Sequence, residues 1–108
     1  MQVIETEYIA SLFKSGLAFK NENKFQDSIN FFDKIIQINS CDWQAYLLKG
    51  ISLSALNRFN ESIKCLDKVL ELNINCCEAY NKKCEILIKL NKLNEAYVII
   101  KKSIEIEK

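Results

Sequence analysis

Proline and histidine are both missing from this 108-residue chain, glycine occurs twice and arginine once. Without histidine the chain lacks the usual general base near neutral pH and the commonest nitrogen ligand for a metal. Without a glycine-rich stretch there is no loop to cradle a phosphate. A lone Arg58 weakens phosphate recognition further, because the planar guanidinium fork is the group best matched to it. Charge of one sign is also lacking: 15 basic and 14 acidic residues are mixed along the chain, leaving a net +1 and no basic stripe to track a nucleic acid. No apolar run approaches the roughly 18 residues that a membrane-spanning helix requires. The opening MQVIETEY has neither the cationic nor the apolar region of a secretory leader, so the expected compartment is the cytoplasm.

Cysteine is not scarce, but its pattern excludes more than it suggests. Cys41, Cys65, Cys76, Cys77 and Cys84 are odd in number and irregularly spaced, as expected of reduced thiols used as small apolar residues. A structural zinc site needs four well-placed ligands, and adjacent Cys76 and Cys77 with Cys84 two helical turns on do not supply them. Cys76 and Cys77, beside a loop and a helix N-terminus, are the best placed for a reactive thiol. Asp33 and Asp67 recur at equivalent sites beside Lys34 and Lys68, which reads as a solvated face rather than an acid/base pair. No catalytic residue, metal or cofactor is expected.

What the chain does have is a repeat. A shift of 34 residues carries Gly16 onto Gly50 and then onto Cys84. The same shift carries Asn23 onto Asn57 and Asn91, Phe25 onto Phe59 and Leu93, and Ser28 onto Ser62 and Ala96. Self-similarity at this period marks an array of helix–turn–helix units. Apolar residues three and four apart support it. Leu12, Gly16 and Phe19 share one helical face, as do Tyr46, Gly50 and Leu53, and Tyr80, Cys84 and Leu87. The second helices carry Ile29, Phe32, Ile35 and Ile36, then Ile63, Leu66, Val69 and Leu70, then Ala96, Ile100 and Ile104.

Asparagine tolerates the left-handed conformation that a tight helix-to-helix turn needs, so Asn23, Asn57 and Asn91 are expected to form one turn used three times. Asp42 is expected to cap the third helix, and Asn75 with Glu78 to form a capping box for the fifth. The two glycines sit inside helices, where each costs about 1 kcal/mol relative to alanine. Recurrence of that cost at equivalent places implies close approach of paired helices. The expected fold is all-α: six helices in three antiparallel hairpins over 9–42, 43–76 and 77–108, behind a partly helical lead-in over 1–8.

Over Ile9 to Lys108 this pattern resembles the tetratricopeptide repeat family. The places that carry the resemblance are a large residue (Leu12, Tyr46, Tyr80), a small one (Gly16, Gly50, Cys84) and a large one (Phe19, Leu53, Leu87). After the turn come Phe25, Phe59 and Leu93, then small Ser28, Ser62 and Ala96, then large Phe32, Leu66 and Ile100. Two places depart from the family. The proline that ends each repeat is Ser40, Ile74 or Lys108, so the second helices are free to run longer; the leucine before the glycine is Ser15, Lys49 or Lys83. Lysine can lay its stem on a core and keep its ammonium in water.

The resemblance implies an α-solenoid, a right-handed superhelix whose first helices line a concave groove, and a role in binding peptides or helices rather than catalysis. Mapped on this chain, the groove-facing residues are Phe13, Leu17 and Lys20, then Gln44, Leu47, Leu48 and Ile51, then Glu78, Asn81, Lys82 and Glu85. The third helix is thereby apolar nearly all round, and such a helix needs two surfaces to pack against. One outcome is an apolar strip for a partner helix or peptide; the other is that superhelix packing or a neighbouring chain covers Leu47, Leu48 and Ile51. The family's clamp for the C-terminal carboxylates of Hsp70 and Hsp90 is not expected. Its places fall on Phe13, Leu17, Leu48, Glu78 and Lys82, and apolar side chains offer no charge-assisted donors. The sixth helix crowds Tyr97, Val98, Ile99, Ile100, Ile104 and Ile106 together, unlike the polar terminal unit that arrays use for solubility. Its outer face, with Tyr97, Val98, Ile99 and Ile106, is a candidate for self-association, or for burial within a longer array.

Overall fold

Each of the three Asn turns ends a helix in the same way. Asn23, Asn57 and Asn91 sit at φ 64°, 61° and 60°. The next residue's N–H reaches back across the turn, from Lys24 to the Phe19 carbonyl at 2.8 Å, Arg58 to Leu53 at 3.0 Å and Lys92 to Leu87 at 2.8 Å. These bonds satisfy carbonyls that the helix end would otherwise leave open. A computed structural model describes residues 3–107, and in it these turns join six helices: α1 (Val3–Asn21), α2 (Phe25–Ile38), α3 (Trp43–Ala55), α4 (Phe59–Leu72), α5 (Cys77–Lys89) and α6 (Leu93–Glu107). No strand occurs among the described residues. α1 runs through most of the expected lead-in, with Glu5 in its first turn where the helix dipole favours an anion.

The loops between hairpins hold without proline. The Asn39 side chain accepts the Cys41 N–H at 3.1 Å, and Asn73 accepts the Asn75 N–H at 3.3 Å. Each side-chain bond gives the chain a local turn that ends the helix, so α2 and α4 stop at Ile38 and Leu72 rather than running on. Asp42 caps α3, its carboxylate accepting the Ala45 N–H at 3.3 Å. The capping box expected at Asn75 does not form. Cys76 stands at the cap of α5 with no side-chain bond, because Asn75 is drawn into the Asn73 turn one residue too early.

Within hairpins the small residues do what their recurrence implied. A Cβ added to Gly16 would meet the Phe32 ring at 2.6 Å, and one added to Gly50 would meet Leu66 at 3.3 Å. The Ser62 hydroxyl donates to the Gly50 carbonyl at 2.6 Å, a contact possible only where two backbones nearly touch. Ser28 shares a hydrogen bond with Ser52 at 2.9 Å across the junction with α3, so neither buried hydroxyl is orphaned.

The core is a row of junctions rather than one ball. Leu12, Phe32, Ile35 and Ala45 form the first cluster, Leu66, Val69, Ala79 and Ile86 the next, and Tyr80, Leu87, Ala96 and Ile99 the last. Here one expectation fails. The inner face of α6 is Ala96, Ile99 and Ser103 with Ile106 half-buried, whereas Ile100 and Ile104 are 42% and 53% exposed. In α2 and α4 the equivalents Phe32 and Leu66 are covered by the next hairpin. α6 packs chiefly on α5, so only one of its two apolar faces is buried.

Candidate functional site

The first helices α1, α3 and α5 bring most of the expected groove residues to one side, but not into one cavity. Phe13, Leu17, Gln44, Leu47, Leu48 and Glu78 line a recess of about 690 Å³, closed by Trp43 and the loop from Asn73 to Cys77. Lys20, Ile51 and Lys82 line a second recess of about 510 Å³, joined there by Lys89. Asn81 and Glu85 face a third, of about 490 Å³, between α5 and α6.

Packing decides how much apolar surface is left over. Leu47 is only 7% exposed and belongs to the cluster of Leu66, Val69 and Ala79, so superhelix packing claims it. Leu48 and Ile51 are half-buried, against the first and second clusters respectively. Phe13 tilts against Phe32 with ring centroids 6.4 Å apart. Leu17, at 38%, is the most exposed apolar residue of the expected strip. The recess is therefore a shallow apolar floor with Leu17, Phe13, Leu48 and Trp43 presented at its surface. Glu78 lies at this apolar end, whereas Lys20, Lys82 and Lys89 gather at the other. Lys82 is tied to Glu85 at 2.9 Å, and the Lys89 ammonium lies over the Phe59 ring at 5.8 Å.

Trp43 and Lys89 were not among the expected site residues. Trp43 directly follows the Asp42 cap, lines the recess and packs partly on the Leu66 cluster; its place at the head of the repeat was the available signal. The Asp33–Lys49 and Asp67–Lys83 ion pairs, each 2.6 Å, were also unforeseen. Their signal lies in the spacing: both pairs span 16 residues, one repeat apart. Lys49 and Lys83 thus do more than keep their ammoniums in water; they bolt each hairpin to the next. Burial lowers the Lys49 pKa, but the Asp33 hydrogen bond and charge outweigh it, and the net shift is upward.

Of the expected self-association face, Tyr97 and Val98 are exposed at 63% and 50%. Ile99 stands apart from them: at 8% exposure it is buried in the α5–α6 contact. Ile106 packs partly against the same cluster. The thiols offer little chemistry. Cys65 and Cys76 are buried, Cys41 exposed, and burial pushes the Cys65 thiol up, which keeps it protonated despite the nearby Lys49. Among the described residues no three or more of His, Cys, Asp and Glu cluster as a metal site would require. No described helix is long and apolar enough to cross a membrane.

Residues 44–75 match the family model of the tetratricopeptide repeat. No curated protein matches the sequence. Among solved structures, the chain superposes on MamA with a TM-score of 0.89 at 19% identity, covering 92% of this chain and 58% of that one. It superposes on the Yersinia enterocolitica type III secretion translocator chaperone SycD, in an alternative dimer, with a TM-score of 0.91 at 16% identity over 97% and 80% of the two chains. A third is the first tetratricopeptide domain of Spaghetti (RPAP3) bound to the HSP90 peptide SRMEEVD, with a TM-score of 0.86 at 18% identity over 92% and 79%. At these identities what is shared is the fold.

Proposed function

We propose, from a chain that folds as three tetratricopeptide repeats, that it is a non-catalytic interaction module holding a peptide or helix of another protein in its concave face. The observation that supports this most directly is the recess of about 690 Å³ where Phe13, Leu17, Trp43 and Leu48 meet. Apolar side chains left at the surface of a concave site favour an occupant that buries them. Helix-in-groove docking suits a groove of this kind, with apolar anchors a turn apart. The HSP90 peptide bound by the RPAP3 domain is a poor model for the ligand, since Phe13, Leu17, Leu48 and Glu78 occupy four of the five clamp places. A cytoplasmic, reducing setting fits a chain that buries Cys65 and Cys76 as thiols.

Trp43 is the sole tryptophan and lines the recess, so its emission reports occupancy. Peptides selected on the protein from a display library should shift Trp43 fluorescence to the blue and lose at least tenfold in affinity on Leu17→Glu. Leu17 is surface-exposed, so that variant should keep its helical circular dichroism. Selected peptides that bind Leu17→Glu equally well, or leave Trp43 unmoved, would remove the concave face from consideration. The second reading, self-association, is favoured by Tyr97 and Val98 standing exposed on α6. Light scattering decides it: a dimer that Val98→Glu dissolves supports it, and a monomer at millimolar concentration ends it.

A further inference from the structure

One face recurs on α2, α4 and α6 at the repeat spacing. On α2 it is Ile29, Phe32, Asp33 and Ile36; on α4 it is Ile63, Leu66, Asp67 and Leu70. On α6 it is Tyr97, Ile100, Lys101 and Ile104. The first two faces are covered. Phe32 and Leu66 have no exposed surface, and Asp33 and Asp67 reach Lys49 and Lys83 at 2.6 Å. The third is open: Tyr97, Ile100 and Ile104 are 63%, 42% and 53% exposed. Ile100 and Ile104 wall a recess of about 490 Å³ with Tyr80 and Cys84.

Two helices of the chain already show how such a face is filled. α3 lays Ala45 on the face of α2, and α5 lays Ala79 on the face of α4; both alanines are wholly buried. Four residues after each comes the lysine that finds the aspartate, Lys49 or Lys83. The small residue lets the helices close, and the lysine one turn on fixes the register. On α6 the aspartate's place is taken by Lys101, whose ammonium lies 5.7 Å from the Tyr97 ring centroid. The hydrophobic half of the junction is kept and its charge is reversed.

We propose that this face of α6 is a docking seat for a helix of a partner protein that presents a small residue and, four residues later, an aspartate or glutamate. The partner helix lies on Tyr97, Ile100 and Ile104 as α5 lies on α4, with its carboxylate on Lys101. A second copy of this chain is a poorer match, because its own first helices bring Ser15, Lys49 or Lys83 to that place and no carboxylate. Glu85, which lines the recess, is held by Lys82 at 2.9 Å and leaves Lys101 as the cation that selects the partner. The proposal does not depend on the concave site between α1 and α3.

The probe is a synthetic peptide of residues 75–91, its cysteines replaced by serine and its outward face stapled to keep it helical. One version carries Lys83→Glu and the other keeps lysine. The glutamate peptide should bind the wild-type chain about fivefold more tightly than the lysine peptide, the scale of a partly exposed ion pair. Methyl resonances of Ile100 and Ile104 should shift. On Lys101→Glu, an exposed substitution checked by circular dichroism, the preference should reverse, and Leu17→Glu should change neither affinity. Failure of both peptides to bind, a preference that ignores residue 101, or shifts at Leu17 and Leu48 instead would overturn the proposal. A dimer in sedimentation that Ile104→Glu dissolves would overturn it too, by giving the seat to a second copy.

Discussion

At the scale of single residues, two glycines at equivalent places are not equally replaceable. Beside Gly16 stands Phe32, wholly buried and hemmed by Leu12, Phe13 and Ile35, so a methyl at 2.6 Å has nowhere to send the ring. Beside Gly50 stands the branched end of Leu66 at 3.3 Å, which can give by a few tenths of an ångström. Gly16→Ala should therefore cost about 1–3 kcal/mol through overpacking, less the roughly 1 kcal/mol that alanine returns in helix propensity. Gly50→Ala should fall near neutral. Urea unfolding of the two variants separates them, and equal costs would contradict the geometry. The Asp33–Lys49 pair makes a second prediction at this scale. The raised Lys49 pKa means its stabilisation is full below the ordinary lysine value of 10.5 and is lost as pH climbs through the higher folded value. Wild type should exceed Asp33→Asn in stability by about 0.2–1 kcal/mol at neutral pH. That gap should close above the lysine range, as followed by denaturation at stepped pH.

At the scale of elements, the turns carry the most legible information. Asn23, Asn57 and Asn91 each hold a positive φ, which alanine tolerates at a cost of about 1–2 kcal/mol and glycine at none. Asn57→Ala should lower the melting temperature, and Asn57→Gly should leave it close to wild type; similar losses for both would point to the asparagine side chain instead of the backbone. Helix number, hairpin pairing and the close-approach sites were all readable, because each is set by local chemistry repeated three times. Other features were not. The cap of α5 was misplaced because the Asn73 turn competes for the neighbouring backbone. The buried face of α6 was misphased because apolar periodicity shows two usable faces, and only the neighbours decide which is covered. For Leu47 the sequence leaves groove and packing both open, and its burial depends on how far α5 leans over α3, a superhelical quantity that no single helix encodes. The concave site was legible as a list of side chains, but its division into an apolar and a cationic recess was not.

At the scale of the molecule, each helix packs chiefly on those next to it in sequence, in a body measuring 45 × 29 × 19 Å. Stability in such an array is the sum of its units and the interfaces between them. α6 has one interface where α3 has two, so its amides should exchange with solvent by local opening well before those of α3 and α4. Hydrogen exchange read by mass spectrometry checks this, and uniform protection across all six helices would show a single cooperative unit. The Asp33–Lys49 and Asp67–Lys83 bolts bear on one more property. Pulled from its two ends, the chain would carry load through its hairpins in series, like links with a weld at each joint. Neither weld touches α1 or α6, so under tension the molecule should pay out length first from its two end helices.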